Sequence, residues 1–205
     1  MNHLRTFCLC AAVLFATGAL AQGGQPAATP APKPTIATSI ESQVRIIERE
    51  FVSAAEAMPE DKYNFAPSSL NLAGSEFKGV RTFAEQVKHV AATNFMLWGA
   101  ITGEKSPVEI KDDNGPASLK TKAEIVKYLK DSFALGHKAA QAITAESAVA
   151  MIPSPFGQGQ TNKLFCATFS ISHAFDHYGQ MVEYLRMNGI VPPASRGNEP
   201  PVATR

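Results

Sequence analysis

The sequence predicts an all-α protein, a four-helix bundle that follows a cleaved signal peptide. Three observations carry this. Apolar residues recur at helical spacing in four separate stretches. Proline and glycine close those stretches. The first twenty-one residues read as a leader rather than as part of a fold.

The chain has 205 residues, enough for one sizeable domain, and 45% of them are apolar. Lys+Arg number 19 and Asp+Glu 18. That balance provides no field for attracting nucleic acid or an anionic membrane. The expected partner is therefore a small-molecule substrate or ligand, or a metal.

Met1 to Arg5 is short and mildly basic, Phe7 to Leu20 is apolar, and Ala19-Leu20-Ala21 supplies the small residues that a signal peptidase reads. Cleavage is expected before Gln22, giving a secreted or periplasmic protein. The apolar run is shorter than the ~20 residues that a spanning helix needs, which argues against an uncleaved anchor. No second apolar run is long enough to span a bilayer, so no stable membrane insertion is expected after cleavage. Cys8, Cys10 and His3 leave with residues 1–21, and Cys166 remains alone. The mature chain then holds no internal disulfide, and Cys166 reads as a small core residue. Residues 22–36, rich in Pro and Ala, read as a linker. Residues 37–196 read as the bundle, and 197–205 as a disordered tail.

The first helix is predicted to open on a capping box between Thr38 and Glu41. Ile40, Val44, Ile47, Phe51, Ala54 and Met58 form its apolar stripe, and Met58-Pro59 ends it. A second helix is predicted from Thr82 to Ile101, with Gly103 and Pro107 as stops. Asp112 to Pro116 is a turn-rich break. The third helix starts near Thr121 and carries Val126, Leu129, Phe133, Gly136, Ala140 and Ile143. Ala150 to Gln160 reads as a loop. The fourth helix is predicted from Thr161 to Asn188, ended by Gly189 and Pro192-Pro193.

The chemistry sits on the fourth helix, in His173-Ala-Phe-Asp-His177. Residues four apart share one helix face, ~6 Å apart along the axis, so both imidazoles can reach one ion. On the helical wheel Cys166, Ser170, His173, His177 and Tyr184 fall near one line. Leu164, Ile171, Phe175, Tyr178, Val182 and Leu185 form a second, and together they predict a wide buried arc. Imidazoles buried there without partners would be costly, and an ion relieves that cost. His-x-x-x-His also arises often by chance, and here it lacks the Glu of the zincin pattern. His89 lies on an apolar stripe with Ala92, Met96 and Ala100, where a histidine is more often a core residue than a ligand. His137, beside Lys138, reads as solvated or packing.

Three stretches carry a family resemblance. Met58-Pro-Glu-Asp-Lys-Tyr-Asn-Phe-Ala-Pro67, Arg81-Thr-Phe-Ala-Glu-Gln-Val-Lys-His89 and His173-Ala-Phe-Asp-His177-Tyr-Gly-Gln180 with its exit Tyr184 to Ser195 resemble the DinB/YfiT-like family of metalloenzymes. The likeness covers about Ile40 to Ser195. It implies a four-helix bundle of the DinB/YfiT-like type, in which one histidine of the second helix joins the pair on the fourth. Carried over, the metal ligands are His89, His173 and His177. Many members have Arg where this chain has Tyr178, and another His or a neutral residue where it has Asp176. The ligands are untouched by these departures, but substrate inferences that rely on the basic residue are not supported.

The resemblance implies a divalent metal, zinc, nickel or iron, with open coordination positions. It implies a metal-dependent hydrolase or thiol-dependent transferase, with a non-catalytic metal- or small-ligand-binding bundle as the alternative. No catalytic residue is assigned. Asp176 either orients a ligand or is solvated, and its offset from the ligand face favours the solvated reading. A homodimer is compatible with the stripes of the first and third helices.

Overall fold

The computed structural model describes residues 33–197. The expected signal peptide, most of the linker and almost all of the tail lie outside them. Four helices make the bundle: α1 (Ile36–Ala57), α2 (Phe83–Thr102), α3 (Lys122–Gln141) and α4 (Lys163–Met187).

The helix starts follow from side chains that satisfy free amides. Thr82 and Thr121 cap α2 and α3 in boxes with Glu85 and Glu124, and Asn162 caps α4. For α1 the expected Thr38–Glu41 box is not formed. Thr35 is the cap, and it pairs with Thr38. Two threonines three apart make the same reciprocal bonds one turn earlier, and Glu41 is left free for another role.

The predicted stripes of α1 and α3 are buried throughout: Ile40, Val44, Ile47, Phe51, Ala54 and Met58 on one, Val126, Leu129, Phe133, Gly136, Ala140 and Ile143 on the other. Each large aliphatic or aromatic side chain there contributes roughly 1.5–3 kcal/mol by leaving water. α1 and α2 each pack chiefly on α3 and α4. The helices thus stand in the order α1, α3, α2, α4 around the bundle. The α1–α2 and α3–α4 connections cross its diagonals, which is why both are long.

The first crossing, residues 58–82, fixes where α2 begins. Tyr63 is buried edge-on against Phe83, and its hydroxyl donates to the Ala55 carbonyl at 2.7 Å. The carbonyls of Phe65 and Tyr63 accept from the amides of Phe83 and Ala84 at 2.9 and 2.8 Å. Two of the free amides at the α2 N-terminus are thereby bound. The second crossing departs from the expected loop. It contains a short hairpin, β1 (Met151–Pro153) antiparallel to β2 (Gln160–Asn162), with Ile152 opposite Thr161. Its Pro and Gly residues sit in the strand end and turn, where neither removes a ladder bond.

A buried polar bridge sets the register of three helices. Asn94 on α2 donates to Ser132 on α3 at 3.2 Å and accepts from Ser170 on α4 at 2.8 Å. Nearby, Gly136 of α3 faces the Trp98 indole: a Cβ there would lie 3.0 Å from Nε1 and 3.2 Å from Cε2. Gly136→Ala is expected to destabilise the fold by about 1–3 kcal/mol, because a fully buried indole has nowhere to retreat. Thermal unfolding reads this directly, and an unchanged midpoint would refute it.

Two features of the sequence reading are corrected. Phe175 is 39% exposed, so the buried arc of α4 is narrower than expected. His137 is neither free in solvent nor simply packed. Its Nδ1 lies 2.9 Å from Glu41 and its Nε2 2.7 Å from Glu48, tying α3 to α1. Burial alone would lower the His137 pKa, but the two carboxylates outweigh it and the pKa ends raised. Burial likewise pushes the Glu41 carboxyl up, but His137 and Arg45 bring it below its ordinary value.

The raised His137 contributes stability that is full below its unfolded value of 6.5 and lost as pH rises through its folded pKa. The lowered Glu41 contributes above its unfolded value of 4.5 and loses this as pH falls through its folded pKa. The advantage of wild type over His137→Gln in melting temperature is therefore expected to be largest between pH 4.5 and 6.5 and to shrink in alkali. A difference that fails to shrink from this window into alkali would contradict the pairing.

Candidate metal centre

His89 stands in the second turn of α2, and His173 and His177 stand mid-way along α4, on the neighbouring helix. All three come together. Their ligating nitrogens lie within 4.8 Å of one another. His89 and His173 are half-buried, and His177 is only 6% exposed. Cys166, as expected, is a buried free thiol and is not part of the cluster.

The rings are oriented from behind. Nδ1 of His89 contacts the backbone carbonyl of Asp113. A carbonyl only accepts, so Nδ1 carries the proton and Nε2 keeps its lone pair. Nδ1 of His177 lies 2.5 Å from Oε1 of Gln86. The Gln86 amide donates in turn to Gln180 at 2.9 Å, so its oxygen faces His177. His177 is therefore also held with its proton on Nδ1 and Nε2 free. Gln180 completes the chain by donating to Asp176 at 3.2 Å. Asp176 is exposed, in line with the solvated reading, and touches the ligands only through this relay.

The Asp113 carbonyl is placed by the turn-rich segment after α2. Gly115, at φ +77°, lets this turn lie flat on α2 at Lys88, the residue before His89. Arg81 secures the turn from outside, donating through Nε to Asn114 at 3.0 Å. Tyr184 of α4 donates to the Arg81 carbonyl at 2.9 Å, joining this clamp to the helix that bears the other two histidines.

The electrostatics keep the imidazoles neutral. Burial lowers all three pKa values, with mutual repulsion adding to it at His173 and His177. His173 falls to about 4 and His177 to about 3. All three are thus unprotonated near neutral pH, the state in which imidazole ligates a metal.

The donor set fits a divalent ion. Nε2 of His89 lies 3.1 Å from Nε2 of His173, so without an ion one lone pair must be given over to a proton. Nδ1 of His173 is buried with no partner. Three neutral nitrogens converging from two helices are a usual donor set for zinc, nickel or iron.

Of the residues singled out in the sequence, His89, His173 and His177 converge, while His137 belongs to the α1–α3 contact. Tyr178 sits beside Glu50 of α1. Gln86, Gln180 and the Asp113 turn were missed. Gln86 left one trace: a polar residue three before His89, on an otherwise apolar face.

The profile of the DinB superfamily matches residues 43–181. The chain belongs to the DinB superfamily. Among solved structures, it is similar to a DinB-like protein from Bacillus cereus ATCC 10987, with a TM-score of 0.57 and 18% identity. The match covers 75% of this chain and 93% of that one, and shows the shared fold. No match was found among curated proteins.

Proposed function

We propose that this is an exported metal-dependent enzyme, a hydrolase or thiol-dependent transferase, whose divalent ion rests on His89, His173 and His177. The observation that carries the reading is the convergence of three neutral imidazoles within 4.8 Å. Asp113 and Gln86 hold two of them in the ligating tautomer. Such tautomer-fixing contacts are what metal-binding histidines have in known sites. A divalent ion with open positions activates water or a thiol and polarises a carbonyl. The protein's part is to aim the three nitrogens at one point, with those of His89 and His177 held unprotonated through Asp113 and Gln86. α2 and α4 do this from a rigid face, and the Asp113 turn shields one side.

The export half rests on the leader and on a structural point compatible with it: among the described residues no helix is long and apolar enough to cross a membrane. The mass of the protein recovered after export should correspond to a chain beginning at Gln22; an intact Met1 would refute export by cleavage. The catalytic half is tested by assaying metal-loaded protein on activated esters and on thiol transfer to an electrophilic arene. One of the two is expected to proceed with wild type and to be lost in His173→Ala. Equal rates in wild type and variant would overturn it. A stoichiometric ion with no exchangeable water would favour the alternative, a metal held for structure or sequestration.

A further inference from the structure

Beside the three histidines runs a row of aromatic rings that the bundle does not need. Phe165 and Phe169, one turn apart on α4, stack at 5.6 Å between centroids and 15° between planes. Phe169 continues onto the His173 imidazole at 6.1 Å and 25°. Phe156, from the turn between β1 and β2, meets Phe169 edge-on at 5.5 Å. The hairpin holds it there: Ser154 donates its amide to Gly159 at 3.1 Å, and the Ser154 hydroxyl accepts from the Phe156 amide at 3.2 Å.

The three phenylalanines are 55%, 43% and 37% exposed, in chain order. Leaving such rings in water is unfavourable, and a row of them beside a site marks a binding surface. Its size selects the occupant. With roughly 200 Å² for each ring, these fractions leave about 270 Å² uncovered. Adding Val149 and Met151, also exposed near the hairpin, brings it to about 500 Å² at most, against the roughly 800 Å² per partner of a stable protein interface. The area suits a small molecule. The near-parallel planes along α4 suit a flat ring, and the row ends on His173, one of the three converging histidines.

We infer that Phe156, Phe165 and Phe169 form the subsite for an aromatic ring of the substrate, whose donor group reaches the ion held by His89, His173 and His177. The inference rests on the metal reading above. It narrows the substrate class to aryl compounds that carry a metal-ligating or carbonyl group a few bonds from the ring. An aromatic pair worth about 0.5–1.5 kcal/mol beyond its burial corresponds to up to about tenfold in affinity.

The test uses the full chain loaded with cobalt(II) and two probes, 4-phenylbutanehydroxamate and butanehydroxamate, followed through the cobalt visible spectrum. Wild type is expected to bind the phenyl probe about tenfold more tightly. Phe156→Ala and Phe165→Ala, neither of which stacks on a histidine, are expected to bring that ratio towards one while cobalt affinity stays unchanged. Equal affinities in wild type, or a ratio that survives both substitutions, would overturn the subsite alone. Failure of cobalt to bind would overturn the metal reading and the subsite with it. A dimer on a sizing column that Phe156→Ala dissociates would assign the row to a second copy of the chain and also overturn the inference.

Discussion

Replacing His177 with alanine is expected to abolish tight binding of a divalent ion and leave the bundle folded. His177 is the most buried of the three ligands and the one held by the longest chain of side chains, through Gln86 and Gln180 to Asp176. Removing a contact behind a ligand typically costs 10–100-fold in metal affinity. Removing the ligand itself should exceed roughly a hundredfold, since the remaining pair, His89 and His173, cannot close a three-nitrogen face. The fold should survive because α4 is also held by Ile171, Ala174, Met181 and Leu185 in the core. The unpaired Gln86 can still bond Gln180. Competitive titration with a chromophoric chelator reads the affinity, and circular dichroism reads the fold. Wild-type affinity in a folded variant would remove His177 from the site.

Gly115→Val is expected to produce the second largest effect, from a residue that touches no metal. A Cβ at this position would lie 2.6 Å from the Lys88 carbonyl oxygen and 2.7 Å from its carbon. These are backbone atoms inside α2 and cannot swing aside. The positive φ of 77° adds strain for any branched side chain. The turn must therefore lift from the helix, and the Asp113 carbonyl lifts with it. His89 then loses the acceptor that fixes its tautomer and ring plane. A loss of 10–100-fold in metal affinity is expected, with destabilisation of about 1–3 kcal/mol. Asn114→Ala is the milder companion, since it frees only the Arg81 tie. A folded Gly115→Val protein with wild-type affinity would show that His89 needs no support from the turn.

The fold was legible because each stripe carried its own answer. In α1 and α3 every apolar position at steps of three and four is buried, for the period of the pattern is the period of the helix. α4 was read less well. Its apolar residues fill more of the wheel than the bundle covers, because only α1 and α2 pack on it chiefly. Phe175 was placed inside and lies partly outside. The exposed Phe165 and Phe169 are part of the same excess.

The site was half legible. His173 and His177 announce themselves by spacing alone, since one helix fixes their geometry. His89 gave no signal from its surroundings and joined them only through family likeness. The contacts behind the ligands were out of reach for a physical reason: Gln86 meets His177 across two helices, and Asp113 meets His89 across a turn whose approach depends on one glycine. The same holds for His137, whose carboxylate partners stand on a helix remote in sequence. Pair geometry of that kind is set by how the helices pack, which no local pattern encodes.

The most direct test of the centre is X-ray absorption at the metal edge of the purified, zinc-reconstituted full chain. The expected spectrum is one zinc per chain, with three imidazole nitrogens at about 2.0–2.1 Å and at least one further light ligand from solvent. A protein that retains no stoichiometric zinc, or one whose zinc shell contains sulfur or fewer than three imidazoles, would contradict the assignment of His89, His173 and His177.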